Sequence, residues 1–370
     1  MTVALGLPRT PGLQGAPSTA PPTPAPTTGG LFDTFGRQAI DMRLSLTDKC
    51  NLRCTYCMPA DGMDWLSKAK LMNADEIIRM VNIGVNELHV RELRLTGGEP
   101  LVRMDLEYIL AGIRSAQPDL PLSLTTNAVG LDKRAAALKE AGLTRINVSL
   151  DSLHSETFAT LTRRNFLGRV LGGIDAAAEA GLGPIKINAV LLRGINDHEA
   201  PDLVEWAVGK GYELRFIEQM PLDEDHVWTR ENMITAGQIR SQLEERFALS
   251  PDPRERAGAP ADRWEVRALG ADPLSPADGV IGIIASVTEP FCADCTRTRV
   301  TADGKVRSCL FSHDEVSLLQ LMRAGATDAE IAQRWREAMW VKPKAHGMDH
   351  AGLGDATYVQ PERSMSAIGG

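Results

Sequence analysis

Three of the chain's six cysteines fall within eight positions, Cys50, Cys54 and Cys57 in DKCNLRCTYCMP. The other three, Cys292, Cys295 and Cys309, repeat the odd number in FCADCTRTRVTADGKVRSCL. Structural zinc usually takes four ligands, commonly as two C-x2-C pairs, and each triplet here holds one such pair. Three thiolates suit a [4Fe–4S] cluster in which one iron lacks a protein ligand and can bind a substrate. Zinc completed by a histidine such as His313 stays open as the alternative at the second triplet. Nothing in residues 1–36 reads as a secretory signal, and no window nears a run of about 18 apolar residues. A cytoplasmic chain is therefore expected, where clustered cysteines bind metals or catalyse more often than they crosslink.

Arginines accompany the second triplet. Arg297 and Arg299 stand two apart, so an extended backbone aims both the same way, and guanidinium forks suit phosphate. The same alternation recurs upstream: Leu44 and Leu46 alternate with Arg43 and Ser45, Ile185 and Ile187 with Lys186 and Asn188, and ELRFIEQ adds Arg215. If the apolar faces pack under helices, the basic groups point into a barrel interior, where they need a polyanionic partner.

Elements must position these groups. MRLSL (42–46), ELRLT (92–96), PLSLTTN (121–127), RINVSLD (145–151), IKINAVLL (185–192) and ELRFIEQ (213–219) read as strands. Helical patterns lie between them near 73–86, 105–116, 131–141, 155–163 with 168–181, and 198–210, so the fold class is α/β with a parallel sheet. The first cysteine loop follows the first strand, at the end where such sheets carry their chemistry. The sequence divides into a disordered Pro/Thr/Ala-rich extension (1–36), a βα core (37–245), a C-terminal cysteine domain (246–340) and a tail (341–370) ending in Gly369 and Gly370. The 370 residues are 43% hydrophobic, enough for a large core, and the net charge of −8 argues against a nucleic-acid surface.

C-x3-C-x2-C with Tyr56 before its last cysteine resembles the signature of radical S-adenosylmethionine (radical SAM) enzymes, and TGGEP at 96–100 resembles their SAM-binding glycine motif. With CxxCxRxR downstream and a terminal Gly-Gly, the chain resembles the GTP 3′,8-cyclase family of molybdenum cofactor biosynthesis over about residues 37–370. That resemblance implies a partial (β/α)6 TIM-type barrel whose open side is closed by the C-terminal iron–sulfur domain. It implies two [4Fe–4S] clusters, on Cys50, Cys54 and Cys57 and on Cys292, Cys295 and Cys309, with Tyr56, Gly98, Ser149 and Met220 around SAM. Arg43, Arg94, Thr125, Lys186, Arg215, Arg297 and Arg299 would meet GTP, and Gly369 and Gly370 would enter the pocket. The implied activity is a carbon–carbon-bond-forming lyase reaction giving 3′,8-cyclo-7,8-dihydro-GTP. The implied partners are a second copy of the chain, a flavodoxin- or ferredoxin-type reductant and a downstream cyclic pyranopterin monophosphate synthase, with no nucleic acid and no membrane. Two departures stand out: Leu52 where an aromatic is common, and Glu92 where many members are basic. The rival readings are a radical SAM maturase with an auxiliary cluster acting on a peptide, and a non-enzymatic iron–sulfur or zinc protein.

Overall fold

The computed structural model describes residues 23–256, 258–272, 274–346 and 360–369. Strict alternation builds its core sheet. In β3 (Asp41–Ser45), after the short hairpin β1 (Leu31–Phe32) and β2 (Gln38–Ala39), Met42 and Leu44 are fully buried beneath helices, which turns Asp41, Arg43 and Ser45 to the opposite, inner face. The pattern repeats in β4 (Glu92–Thr96), β5 (Leu122–Thr126), β6 (Arg145–Ser149), β7 (Lys186–Val190) and β8 (Glu213–Ile217), all parallel to their neighbours.

Helices α1 (Ala74–Asn86), α2 (Leu106–Ala116), α3 (Ala135–Glu140), α4 (Ser155–Thr162), α5 (Leu167–Glu179) and α6 (Ala200–Gly209) connect the strands. They bury residues such as Ile77, Met80, Ile109, Ile113 and Ile174 in one apolar core with the strands. Local signals start several helices. Asn73 and Glu76 form a capping box on α1, as do Thr235 and Gln238 on α7 (Ala236–Glu244).

The C-terminal third does not build a sheet of its own. β9 (Phe247–Pro251), β10 (Asp262–Ala268) and β11 (Gly279–Ile284) extend the core sheet beyond β8, with β11 parallel to it. β12 (Arg297–Val300), β13 (Lys305–Arg307) and β14 (Val316–Ser317) extend it beyond β3, giving one twelve-stranded sheet. Helices α8 (Leu318–Arg323) and α9 (Asp328–Trp340) cover that edge, where the fully buried Trp335 donates from Nε1 to Thr298 Oγ1 at 2.9 Å. The C-terminal strands thus extend the core sheet at both edges, pairing the edge strands that the βα core leaves open.

Of the stretch 1–36 expected to be disordered, residues 1–22 lie outside the described residues, whereas the hairpin from Leu31 is packed. Leu31 is fully buried, Asp33 is 3% exposed, and Asp33 Oδ1 accepts from the backbone N–H groups of Phe35 and Arg37 to hold the hairpin turn. Burying Leu31 and satisfying Asp33 offset the ordering entropy there. Among the described residues, no helix is long and apolar enough to cross a membrane.

Candidate active site

Gathered at the C-terminal ends of the core strands, the loops after β3 and β4 interlock. Gly98 N–H donates to Thr47 O at 2.7 Å and Glu99 N–H to Lys49 O at 2.8 Å. A Cβ on Gly98 would collide with the Asp48 and Lys49 carbonyls, and Gly97 has φ +145°. The glycines therefore let the cysteine loop approach TGGEP, besides bordering the cavity. Leu66 N–H donates to Asp48 Oδ2 at 2.5 Å, tying the far end of that loop back to its start.

Cys50, Cys54 and Cys57 line one cavity with Tyr56, Gly98, Ser149 and Met220. Burial is the main force lifting all three thiols: Cys50 is pushed up to about 11 and Cys57 to about 12, and Cys54 is raised too, by burial first and then by Asp151 and its two neighbours. Thiols so poised are poor free nucleophiles, whereas a bound cation would relieve the cost of their ionisation. Cys50 Sγ already accepts from Leu52 N–H at 3.4 Å and Asn127 Nδ2 at 3.7 Å.

Two buried carboxylates beside this group went unnoticed in the sequence. Glu99, 1% exposed, accepts from Thr126 Oγ1 (2.7 Å) and the N–H groups of Asn127 (2.6 Å) and Leu101 (2.9 Å), yet burial still pushes it up to about 7. Its place in TGGEP was the available signal. Thr126 is engaged by Glu99, and Thr125 and Thr126 both border the cavity. Asp151, raised by burial to about 6, accepts the Tyr56 hydroxyl at 2.6 Å and Val190 N–H at 2.9 Å.

Below the thiols the lining turns basic: Arg43, Arg94, Arg215, Arg297 and Arg299 border the same cavity. Lys186 does not; it sits at the start of β7 with Nζ 3.6 Å from Glu213. Counted over β3 to β8 and β12, the inner face carries seven cations (Arg43, Arg94, Arg145, Lys186, Arg215, Arg297, Arg299) and three carboxylates (Asp41, Glu92, Glu213). The excess is four. Burial, then repulsion by Arg43 and Arg297, brings Arg299 down to about 9, and burial with repulsion by Arg43 lowers Arg94 strongly. Burial alone would raise Asp41, but Arg43, Arg94, Arg297 and Arg299 hold it below the usual carboxylate range. Among the described residues, Arg43 Nε, Arg94 Nε and Arg297 Nη2 are buried without a hydrogen-bond partner. Glu92 does not stand alone: Arg145 meets it at 2.9 Å.

The second triplet lies beside β12, and its neighbours Phe291 and Leu310 reach the cavity. Cys292 and Cys295 bound a single helical turn, Cys309 follows β13, and all three feel one another electrostatically. Lys342, 4% exposed, donates to Cys295 Sγ at 3.2 Å and to Arg297 O at 2.9 Å. Burial would raise Cys295, but Lys342 and Arg297 outweigh it and bring that thiol down to about 7. Arg37 ties the N-terminal hairpin to the same place, donating to Cys292 O (2.6 Å), Pro343 O (2.6 Å) and Lys344 O (2.8 Å). Among the described residues, no three His, Cys, Asp or Glu side chains are gathered tightly enough for a single metal ion.

The tail returns to the cavity through α10 (Met365–Ile368). Arg363 pairs with Asp303 and Glu315 at 2.7 Å each, Ile368 is buried with Leu222 and Phe311, and Arg299 Nη1 donates to Gly369 O at 3.2 Å. Gly370 lies outside the described residues.

Residues 44–207 match the radical SAM superfamily and residues 212–348 match Molybdenum Cofactor Synthesis C. The chain is 67% identical to the GTP 3′,8-cyclase of Paenarthrobacter nicotinovorans, over 92% of this chain and 97% of that one. It is 54% identical to that of Streptomyces coelicolor, over 92% and 96%. Identity to that of Mycolicibacterium smegmatis is 50% over the full length of both. Among solved structures, the Streptococcus suis SuiB protein bound to S-adenosylmethionine shares the fold at 13% identity, with a TM-score of 0.54 over 84% of this chain and 66% of that one.

Proposed function

Because this chain belongs to the GTP 3′,8-cyclase family of radical SAM enzymes and makes 3′,8-cyclo-7,8-dihydro-GTP in the first step of molybdenum cofactor biosynthesis, we propose that the polar inner face of its sheet holds the GTP. One observation carries the reading, the excess of four cations on the inner face of the sheet. A nucleoside triphosphate brings about four negative charges, one per inner phosphoryl group and nearly two on the terminal one. Arg43, Arg94, Thr125, Lys186, Arg215, Arg297 and Arg299 are its proposed ligands, and the unpartnered guanidinium N–H groups are donors ready for phosphate oxygens.

A [4Fe–4S] cluster and SAM come with the radical SAM family. The residues fit them: three coupled thiols line one cavity, with N–H donors on Cys50 Sγ and a glycine wall alongside. We assign the cluster to Cys50, Cys54 and Cys57, and SAM to the surroundings of Tyr56, Gly98, Ser149 and Met220. When bound, the cluster and SAM would supply one-electron hydrogen-abstraction chemistry at the ribose 3′ position, and closure of C3′ onto guanine C8 would be completed by one electron and one proton. The chain's own part is positional. Asp151 orients Tyr56, the arginines fix the phosphates and so the distance of the ribose from the thiols, and Phe291, Ile284 and Leu310 keep water from the space between.

Cys292, Cys295 and Cys309 are proposed to hold a second [4Fe–4S] cluster, which would supply an open iron able to bind the guanine. The donor chemistry supports this: Lys342 and Arg297 favour a thiolate at Cys295, the form that ligates iron. Gly369, without a side chain to obstruct, reaches the arginines beside it, and Gly370 belongs to the same reading. A homodimer, a flavodoxin- or ferredoxin-type reductant and a downstream cyclic pyranopterin monophosphate synthase are the partners this chemistry calls for.

The test is anaerobic turnover of protein reconstituted with iron and sulfide, given SAM, dithionite and GTP and followed by mass spectrometry. GTP-dependent 5′-deoxyadenosine and a product of GTP's mass with different chromatography are expected. SAM cleavage indifferent to GTP would sink the substrate assignment.

A further inference from the structure

On β6, Ile146 and Val148 are fully buried in the apolar core, so Arg145, Asn147 and Ser149 share the inner face. Asn147 is 1% exposed, and neither its Nδ2 nor its Oδ1 has a hydrogen-bond partner among the described residues. A buried amide left unpaired at both ends keeps its desolvation cost with nothing to offset it, so native chains rarely keep one without a use. Its neighbours in register are Thr125 on β5 and Lys186 on β7, and Ser149 one step along the strand lines the cavity. The strand thus carries a neutral donor beside Lys186, on which Arg215, Arg145 and Arg94 bear together with Glu213, one step from Ser149 at the cavity wall.

Resting on the reading that GTP occupies this inner face, we propose that Asn147 is a further specificity residue of the reaction, its Nδ2 donating to a phosphoryl oxygen of the nucleotide. The amide suits the position for two reasons. It adds a donor without adding another positive charge to an already repelling group, and its Oδ1 accepts from a cation that leaves its carboxylate when phosphate arrives. An aspartate of the same shape would set an anion against the phosphates.

The experiment compares anaerobically reconstituted wild type with Asn147→Ala and Asn147→Asp, reading GTP affinity, inhibition by inorganic tripolyphosphate, SAM binding and iron content. Loss of a hydrogen bond to a charged group predicts about tenfold or more weaker GTP in Asn147→Ala. Tripolyphosphate should weaken equally, Asn147→Asp should be worse than Asn147→Ala, and SAM and iron should stay as in wild type. If GTP weakens while tripolyphosphate does not, the contact is to the nucleoside and the proposal fails. It fails as well if Asn147→Asp binds both ligands as wild type does, a result that also covers misfolding of the alanine variant. Arg297→Ala serves as the reference: GTP affinity unchanged there would overturn the inner-face reading itself, whereas loss in Arg297→Ala without loss in either Asn147 variant would overturn only the role of Asn147.

Discussion

At the scale of single residues, buried charge dictates what this cavity can accept. Arg297 and Arg299 are 7% and 6% exposed and both are opposed by Arg43, with Asp41 the carboxylate that bears on Arg297. Replacing both with alanine should weaken GTP binding by about a hundredfold or more, two charge-assisted contacts at once, while SAM affinity measured on the same preparation stays within a factor of two or so. Lys186 adds a pH signature. Burial first, then repulsion by Arg215, brings its ammonium down to about 8, with Glu213 pulling the other way. The cation is present below that value and lost above it, so GTP affinity should fall as pH rises from 7.5 to 8.5. In Lys186→Met that segment of the profile should be flat. The arginines and thiols were legible from the sequence because alternation fixes which way a strand residue faces. Asn147, Asp151 and Lys342 were not, since an unpaired amide or a buried ammonium is defined by its surroundings.

Elements bring these residues into range by backbone contact more than by side chains. The loop after β3 can carry its thiols over the sheet only because Gly97 and Gly98 leave room for the Thr47–Lys49 backbone. Gly98→Ala should therefore lose iron at the first triplet, read from the iron count of a protein that also carries Cys309→Ser. Cys309→Ser alone should leave that iron in place. Every core strand and most helices were readable, with boundaries within a few residues, because their apolar residues recur at periods of two and 3.6 on the faces that pack together. What the pattern hid was where β9 to β14 go. Edge pairing is a long-range choice, and the same short strands could have closed on themselves.

For the whole molecule, the N-terminal hairpin and the segment after α9 meet beside the second triplet. The hairpin's Arg37 grips the Cys292 carbonyl and the Pro343–Lys344 backbone at once, and Lys342 reaches Cys295 from the same segment. Arg37→Ala should lower iron at the second triplet while leaving the first loaded, measured by iron content and by the spectroscopic signal of each site in turn. Equal loss at both would mean that the hairpin supports the fold as a whole rather than this site.

By itself the sequence determined the α/β core, the two thiol triplets, the basic inner strand faces and the family, because these depend on residue type, short spacing and local period. Only the tertiary structure decided that residues 31–36 pack as a hairpin, that the C-terminal strands join both edges of one sheet, that Glu92 is answered by Arg145, and that Gly369 comes to rest against Arg299. Each of those joins positions 40 or more apart in the chain, or depends on what else is buried nearby. Such free energies come from desolvation and pairing in the folded state, and no short window of sequence contains them.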